Sequence, residues 1–321
     1  MSVGLRRLRA VGVLLALAAT ALTGCADDFG HVRLTIAAGN EGGVYHKLST
    51  ALAEAWTRSP GVAPPEVEKT SGSVDNLRLL RTDEAQVGFS AADAADLERG
   101  DTGHRVFALA RMHDDYLQLL VRADLPVTGL AQLEGLRVSL GAPDSGVQVI
   151  ARRLLAEAGM TDRLKVQSLG LQPSVDAIRN GTLDAFFWSG GVPTDAVTDL
   201  ATTVRMRMLD LSDTLPALRE RFPVYGTATL PASAYRLDGD SAGNLLDGGP
   251  VVTLVVRNFL LVNDTVPDDV VEALLRGLFQ AQPALVSASP VARSIEVRSA
   301  IETTPVPLHP GAMRYYRDAK V

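Results

Sequence analysis

The hydrophobic positions of this chain follow two periods. Val32, Leu34 and Ile36 interleave with polar residues and predict a strand that stops at Gly39. Val44, Leu48 and Leu52 then recur every four residues, with Ala51 and Ala55 beside them, and predict a helix. Residues 60–65 are a breaker-rich loop. A short strand around Val67, a helix carrying Val74, Leu77 and Leu80, and a strand over 86–90 complete a βαβαβ rhythm. That rhythm implies a parallel sheet covered by helices.

Two long extended stretches, 106–122 and 251–262, interrupt it. Between them runs a second α/β series, with strands expected over 137–140, 165–168, 185–188 and 205–209. Its helices are expected to start near Ser145, Ser174, Pro193 and Leu215, and the one over 147–158 ends at Gly159, a C-terminal cap glycine. After Val262 a helix is expected through 268–282, stopping before Pro283, and the rest turns polar and Pro-rich. One α/β unit therefore opens, a second is inserted, and the chain returns to finish the first. Two lobes joined by two extended segments make a hinge with a cleft between them. There is no internal repeat and no low-complexity tract.

The N-terminus has a different pattern. Arg6, Arg7 and Arg9 precede an almost unbroken apolar run over 10–22. That run falls short of the roughly 20 residues needed to span a bilayer, so it reads as the core of a signal peptide. It ends in Leu22-Thr23-Gly24-Cys25, which resembles the lipobox of bacterial lipoproteins. The resemblance implies a leader over 1–24, lipidation of Cys25 with palmitate among its acyl chains, and a short tether over 25–31. Two or more acyl chains anchor stably, so the protein is expected to be exported and held at the outer face of the cell membrane.

Composition narrows the function classes. The chain has 321 residues, 46% hydrophobic and 21% charged, which is enough to bury a full core and too apolar for a disordered tail. The single Cys excludes an intramolecular disulfide and any multi-thiolate metal site. Formal charge is −6, and loss of the three leader arginines takes it to −9, which disfavours nucleic acid as a partner. No second apolar run reaches spanning length, so the chain is not itself expected to be a channel or transporter.

Candidate chemistry sits at four strand-to-helix turns. They are Gly39-Asn40-Glu41-Gly42-Gly43-Val44-Tyr45, Thr70-Ser71-Gly72-Ser73-Val74-Asp75-Asn76, Gly141-Ala142-Pro143-Asp144-Ser145-Gly146 and Trp188-Ser189-Gly190-Gly191-Val192-Pro193-Thr194. Each joins Gly, which admits a ligand to the backbone, with polar side chains and free N–H groups at a helix start. That is the composition of an anion site. In a parallel α/β sheet such turns lie at the carboxyl ends of strands, where ligands bind. One such turn alone is usually only a helix cap; two on each lobe point to a shared cleft. None has the G-x-G-x-x-G spacing or a P-loop lysine, so a nucleotide is not indicated. Tyr45, Trp188 and Tyr225 are either aromatic walls of that cleft or core.

Enzyme chemistry finds little support. The five His, at 31, 46, 104, 113 and 309, form no H-E-x-x-H, and the cluster His113-Asp114-Asp115 lacks i,i+4 ligand geometry. Neither Ser73 nor Ser145 sits in G-x-S-x-G. A triad assembled from distant positions stays open. No catalytic residue, metal or cofactor is assigned.

Gly42-Gly43-Val44-Tyr45, Thr70-Ser71-Gly72-Ser73 with Asn76, the run Phe186 to Pro193, and Leu308-His309-Pro310-Gly311-Ala312-Met313-Arg314-Tyr315-Tyr316 resemble, in order, the TAXI family. These are the extracytoplasmic receptors of TRAP transporters. The resemblance implies a two-lobed type II periplasmic-binding-protein-like α/β fold, with one lobe from 32–112 and 257–321 and the other from 113–256. It implies a non-enzymatic, monomeric receptor that takes a small carboxylate or amino acid, such as glutamate, glutamine or a dicarboxylate, and delivers it to a TRAP permease. Ligand-binding residues implied are Gly42, Gly43, Tyr45, Thr70, Ser71, Gly72, Ser73 and Asn76 on the first lobe, and Ser145, Gly146, Trp188, Ser189, Gly190 and Gly191 on the second. Asn40, from the first turn, and Tyr225, as an aromatic wall, are candidates from the residues themselves. The family's first loop carries small residues before its Gly-Gly and a second aromatic after the Tyr; Asn40, Glu41 and His46 stand there in this chain. Glu41 is read as solvated beside a helix start, although turned inward it would favour a ligand amino group. Arg111 is the candidate clamp for a carboxylate. The alternative is a tethered sensor that presents the same liganded state to a signalling partner.

Overall fold

The computed structural model describes residues 29–97, 103–235 and 246–320. The leader 1–24, Cys25 and the first part of the tether lie outside the described residues. The first α/β unit runs β1 (Thr35–Ala37), α1 (Val44–Arg58), β2 (Glu66–Glu68), α2 (Ser73–Thr82), β3 (Val87–Ala91) and α3 (Ala92–Leu97). The crossover strand β4 (Val106–Arg122) leads to β5 (Arg137–Ser139), α4 (Gly146–Glu157), β6 (Lys165–Gln167), α5 (Leu171–Arg179), β7 (Ala185–Gly190) and α6 (Asp195–Ala201). Then come β8 (Met206–Met208), α7 (Leu215–Arg221), β9 (Gly226–Leu230), β10 (Leu246–Asp247) and the return strand β11 (Val251–Asn263). The chain closes with α8 (Asp268–Gln280), α9 (Gln282–Ala288), α10 (Val297–Ala300) and α11 (Pro310–Asp318).

The sheet has the order β2-β1-β3-β11-β4-β7-β5-β6. β1 pairs in parallel with β2 and β3, and β5 pairs in parallel with β6 and β7. The two crossover strands pair antiparallel with each other from Asn263 and Val106 to Val255 and Tyr116. β3 adds to β11 over 258–262, whereas β7 adds to β4 over 116–121 and β9 to β11 over 251–255. Two half-sheets thus grow from one ribbon, giving the two-lobed mixed α/β arrangement.

The inner strands β3 and β7 are buried on both faces and read without alternation, whereas the outer strands β2 and β6 stay largely exposed. Phe186 and Phe187 point to opposite faces of β7 and both are buried, in different clusters. In the first lobe Leu48, Leu52 and Trp56 from α1 pack with Ile36, Val87, Phe89 and Leu274. Trp56 satisfies its buried indole by donating to the carbonyl of Leu274 at 2.9 Å.

Three expectations shift. The helix expected near Ser174 starts earlier, at Leu171, because Ser174 is not the cap. It lies buried inside the first turn and donates to the Leu169 carbonyl. The helix expected over 268–282 divides at Ala281, where Pro283 opens α9 in place of continuing α8. The polar, Pro-rich C-terminus is also helical: Pro310 occupies the first turn of α11, and Ala312 and Tyr316 bury its inner face. The Tyr316 hydroxyl donates to the Leu109 carbonyl at 2.9 Å, tying α11 to β4.

His309 caps α11, its Nδ1 accepting from the Gly311 N–H at 3.1 Å. Burial holds its pKa below the ordinary histidine value of 6.5. The unfolded chain therefore binds this proton more readily than the folded one. The stability involved is complete above about 6.5 and is lost as pH falls through the lower folded value. The melting temperature of the wild type should fall more steeply from pH 7.5 to 5 than that of His309→Asn, which keeps a cap acceptor that does not titrate. Parallel profiles would contradict this role.

Candidate functional site

The strand ends of the two lobes face each other across a small cavity of about 60 Å³. Asn40, Gly43, Tyr45, Ser71, Gly72, Ser73, Ser145, Gly146, Trp188, Ser189 and Gly190 line it. All four sequence-predicted turns therefore meet at one place. Gly39 and Val44 of the first turn line it as well, and Ala91, Val147 and Asp115, outside the four turns, complete it.

The first-lobe wall is built by Thr70. Its hydroxyl accepts from the Gly39 and Gly72 N–H groups, at 2.9 and 3.2 Å, and donates to Asn76 Oδ1. Asn76 in turn donates from Nδ2 to the Phe89 carbonyl at 2.8 Å. One buried network thus fixes two turns to the sheet, and Asn40 Nδ2 adds a bond to the Ser71 carbonyl at 2.9 Å. Gly72, with φ +126°, holds a backbone conformation that side-chain-bearing residues rarely adopt.

Helices α1, α2 and α4 all start at this cavity. Gly43 and Gly72 precede the first two without a side-chain cap, whereas Ser145 caps α4 by accepting from Gln148 N. Uncapped helix starts present N–H groups and the positive end of the helix dipole. Tyr45 stacks on Phe89, with ring centroids 5.1 Å apart, and its hydroxyl donates to Asn258 Oδ1. Burial, and secondly the charge of Asp115, push the Tyr45 phenol well above its ordinary value, so it stays a neutral donor. Trp188 closes the far side, its Nε1 donating to Thr194 Oγ1 at 3.1 Å.

Some predicted residues stand off the wall. Thr70 and Asn76 lie behind it, occupied by the network above. Gly42 is a turn residue with φ +77°. Gly191 is a packing glycine, since a Cβ there would collide with the Val291 side chain. Tyr225 belongs to a separate buried cluster, donating to Asp93 Oδ2 at 2.7 Å and accepting from Arg153 at 2.9 Å. Arg111 is no clamp, because Asp114 and Glu302 bind its guanidinium. Glu41 points to solvent and pairs with Lys69 at 2.8 Å; the bond from that ammonium lowers its pKa.

The lobes touch around the cavity. Asp75 N donates to the Asp144 carbonyl at 3.2 Å, and Lys47 pairs with Asp195 at 2.6 Å. The backbone of Gly146 lies so near Ser73 that a Cβ would meet its Oγ at 2.7 Å.

A family model described as the NMT1-like family matches residues 36–319. The chain belongs to the NMT1-like family. Among solved structures, a protein of Bordetella bronchiseptica RB50 is similar to this NMT1-like chain at 17% identity and TM-score 0.52, covering 89% of this chain and 88% of that one. The alkanesulfonate-binding protein SsuA from Xanthomonas axonopodis pv. citri, bound to MOPS, aligns over 89% of this chain and 83% of its own at 15% identity and TM-score 0.49. The GluR0 ligand-binding core from Nostoc punctiforme, in complex with L-glutamate, aligns over 81% of this chain and 96% of its own at 11% identity and TM-score 0.47. At these identities the likeness is one of fold alone.

Thr70→Val removes the hydroxyl but keeps the volume, leaving the Gly39 and Gly72 donors unpaired. Chemical denaturation should show a loss of about 1–3 kcal/mol. An unchanged unfolding free energy would mean that this network does not hold the wall.

Proposed function

We propose that this NMT1-like protein is an exported receptor that binds a small carboxylate or amino acid between its lobes and releases it unchanged. The observation that carries the reading is the convergence of three helix starts on one cavity between the lobes, among whose lining residues there is no basic side chain. Such a site holds an anionic group by backbone N–H donors and helix dipoles. In this reading one lobe comprises 32–112 and 257–321 and the other 113–256, a division supported by the exchange of partners along β4 and β11. The two lobes close over the solute as rigid bodies.

The finer assignment rests on the sequence. The TAXI-like blocks and the lipobox-like run before Cys25 make the protein a lipid-anchored receptor that hands its solute to a TRAP permease. No helix among the described residues is long and apolar enough to cross a membrane. Deletion of the gene should abolish uptake of the solute, and Cys25→Ala should release the protein from the membrane. Uptake that persists without the protein would remove the transport role.

A ligand that binds only the folded state raises its melting temperature by mass action. A screen of small carboxylates and amino acids should find a compound with this effect, and a flat response across both classes would contradict the site. Ser71→Trp and Ser189→Trp, each filling the cavity from one lobe, should abolish the shift.

Gly146→Val tests closure. Its side chain would push against Ser73, whose Oγ already accepts from Ala91 N at 3.0 Å and cannot move without losing that bond. Affinity should fall at least about tenfold, the scale of a modest overpacking penalty. Unchanged affinity would mean that the lobes need not meet here.

A further inference from the structure

Asp115 is an unusual group for an anion-binding cleft. It lines the cavity, on β4 opposite Val256, and only 6% of its surface is exposed. Its Oδ1 is buried and accepts no hydrogen bond. His113, itself buried, brings its Nε2 to 3.2 Å from that oxygen. Both ring nitrogens of His113 nevertheless lack hydrogen-bond partners, so the two side chains approach each other without the alignment a hydrogen bond needs. The Tyr45 ring packs edge-on to His113, and the Tyr45 hydroxyl is committed to Asn258. The nearby basic groups are engaged elsewhere: Lys47 with Asp195, Lys69 with Glu41, and Arg111 with Asp114 and Glu302.

A desolvated carboxylate facing a cavity is stabilised by a cation that donates hydrogen bonds to it. We propose that Asp115 binds the ammonium group of the solute, and that the site selects zwitterions over carboxylates and dicarboxylates lacking an amino group. The solute's carboxylate then lies at the helix starts beside Gly43 and Gly72, and its ammonium at Asp115. A second carboxylate placed at Asp115 would meet like charge at a buried side chain, which selects against it. This inference rests on the receptor reading above and assigns the specificity of that same cavity.

The test uses matched probes that differ by one amino group: L-alanine with propionate, L-leucine with 4-methylpentanoate, and L-glutamate with glutarate. Binding is measured by calorimetry on the full chain and on Asp115→Asn. The amino acid of at least one pair should bind wild type about 10- to 100-fold more tightly than its partner, the scale of a charged hydrogen-bonded contact. Asp115→Asn should erase that ratio while leaving the des-amino acid's affinity unchanged or improved. The comparison within each pair on wild type needs no variant, so a poorly folding Asp115→Asn leaves the inference testable. Equal or tighter binding of propionate, 4-methylpentanoate or glutarate overturns the inference and leaves the receptor reading intact. A preference for the amino acid that survives Asp115→Asn overturns the role of Asp115. Silence of every probe overturns the inference together with an amino-acid or carboxylate site.

Discussion

The pairing of β4 with β11 is the constraint from which the rest of the molecule follows. Each strand serves both lobes, so the half-sheets share a continuous hydrogen-bonded ribbon and not a flexible linker. The ribbon carries two register shifts, at which Met112 and Leu109 are the extra residues on β4. Such bulges raise local twist and re-aim the side chains beside them. His113 and Asp115 follow directly after one of them. The cavity thus forms where the ribbon changes partners, and the same irregularity lies beside the carboxylate that faces the cavity.

Positive potential in this protein comes from backbone geometry. An acidic chain with no basic residue on the cavity wall still presents three helix starts to one point. The glycines there serve distinct ends. Gly72 supplies a backbone conformation other residues resist, Gly146 lets the opposite lobe approach, and Gly190 leaves room for the Trp188 ring. Thr70 and Asn76 support this wall without touching the cavity, as positioning residues for the turns that do.

Much of this was legible in the sequence because it depends on local rules. The periods of Leu48, Leu52 and Leu80 mark helices, and the turn chemistry at Gly43, Gly72 and Ser145 marks where those helices begin. The NMT1-like assignment is broader than the TAXI resemblance of the sequence blocks, while the two-lobed fold implied by those blocks is the one found. What escaped depends on register and tertiary contact. Thr70, Asn76 and Gly191 belong to the right turns, yet their orientation is set by hydrogen bonds to Phe89 and packing against Val291, residues far away in the chain. Tyr225 follows the same logic, drawn off by Asp93 and Arg153. Asp115 stands in a run with His113 and Asp114 whose composition, taken alone, speaks only to metal ligation. Its stronger signal is an acid at a buried position of a mostly apolar strand, which becomes meaningful once β4 is known to reach the cavity.

Closure of the two lobes on a bound solute is the claim most directly open to measurement. Spin labels placed on the exposed positions Glu54 of α1 and Asp199 of α6, in a Cys25→Ser background, report the separation of the lobes. Adding the amino acid that gives the largest melting shift should narrow that distance distribution to a single shorter separation. A distribution that does not change at saturating solute would contradict a receptor that closes over its ligand.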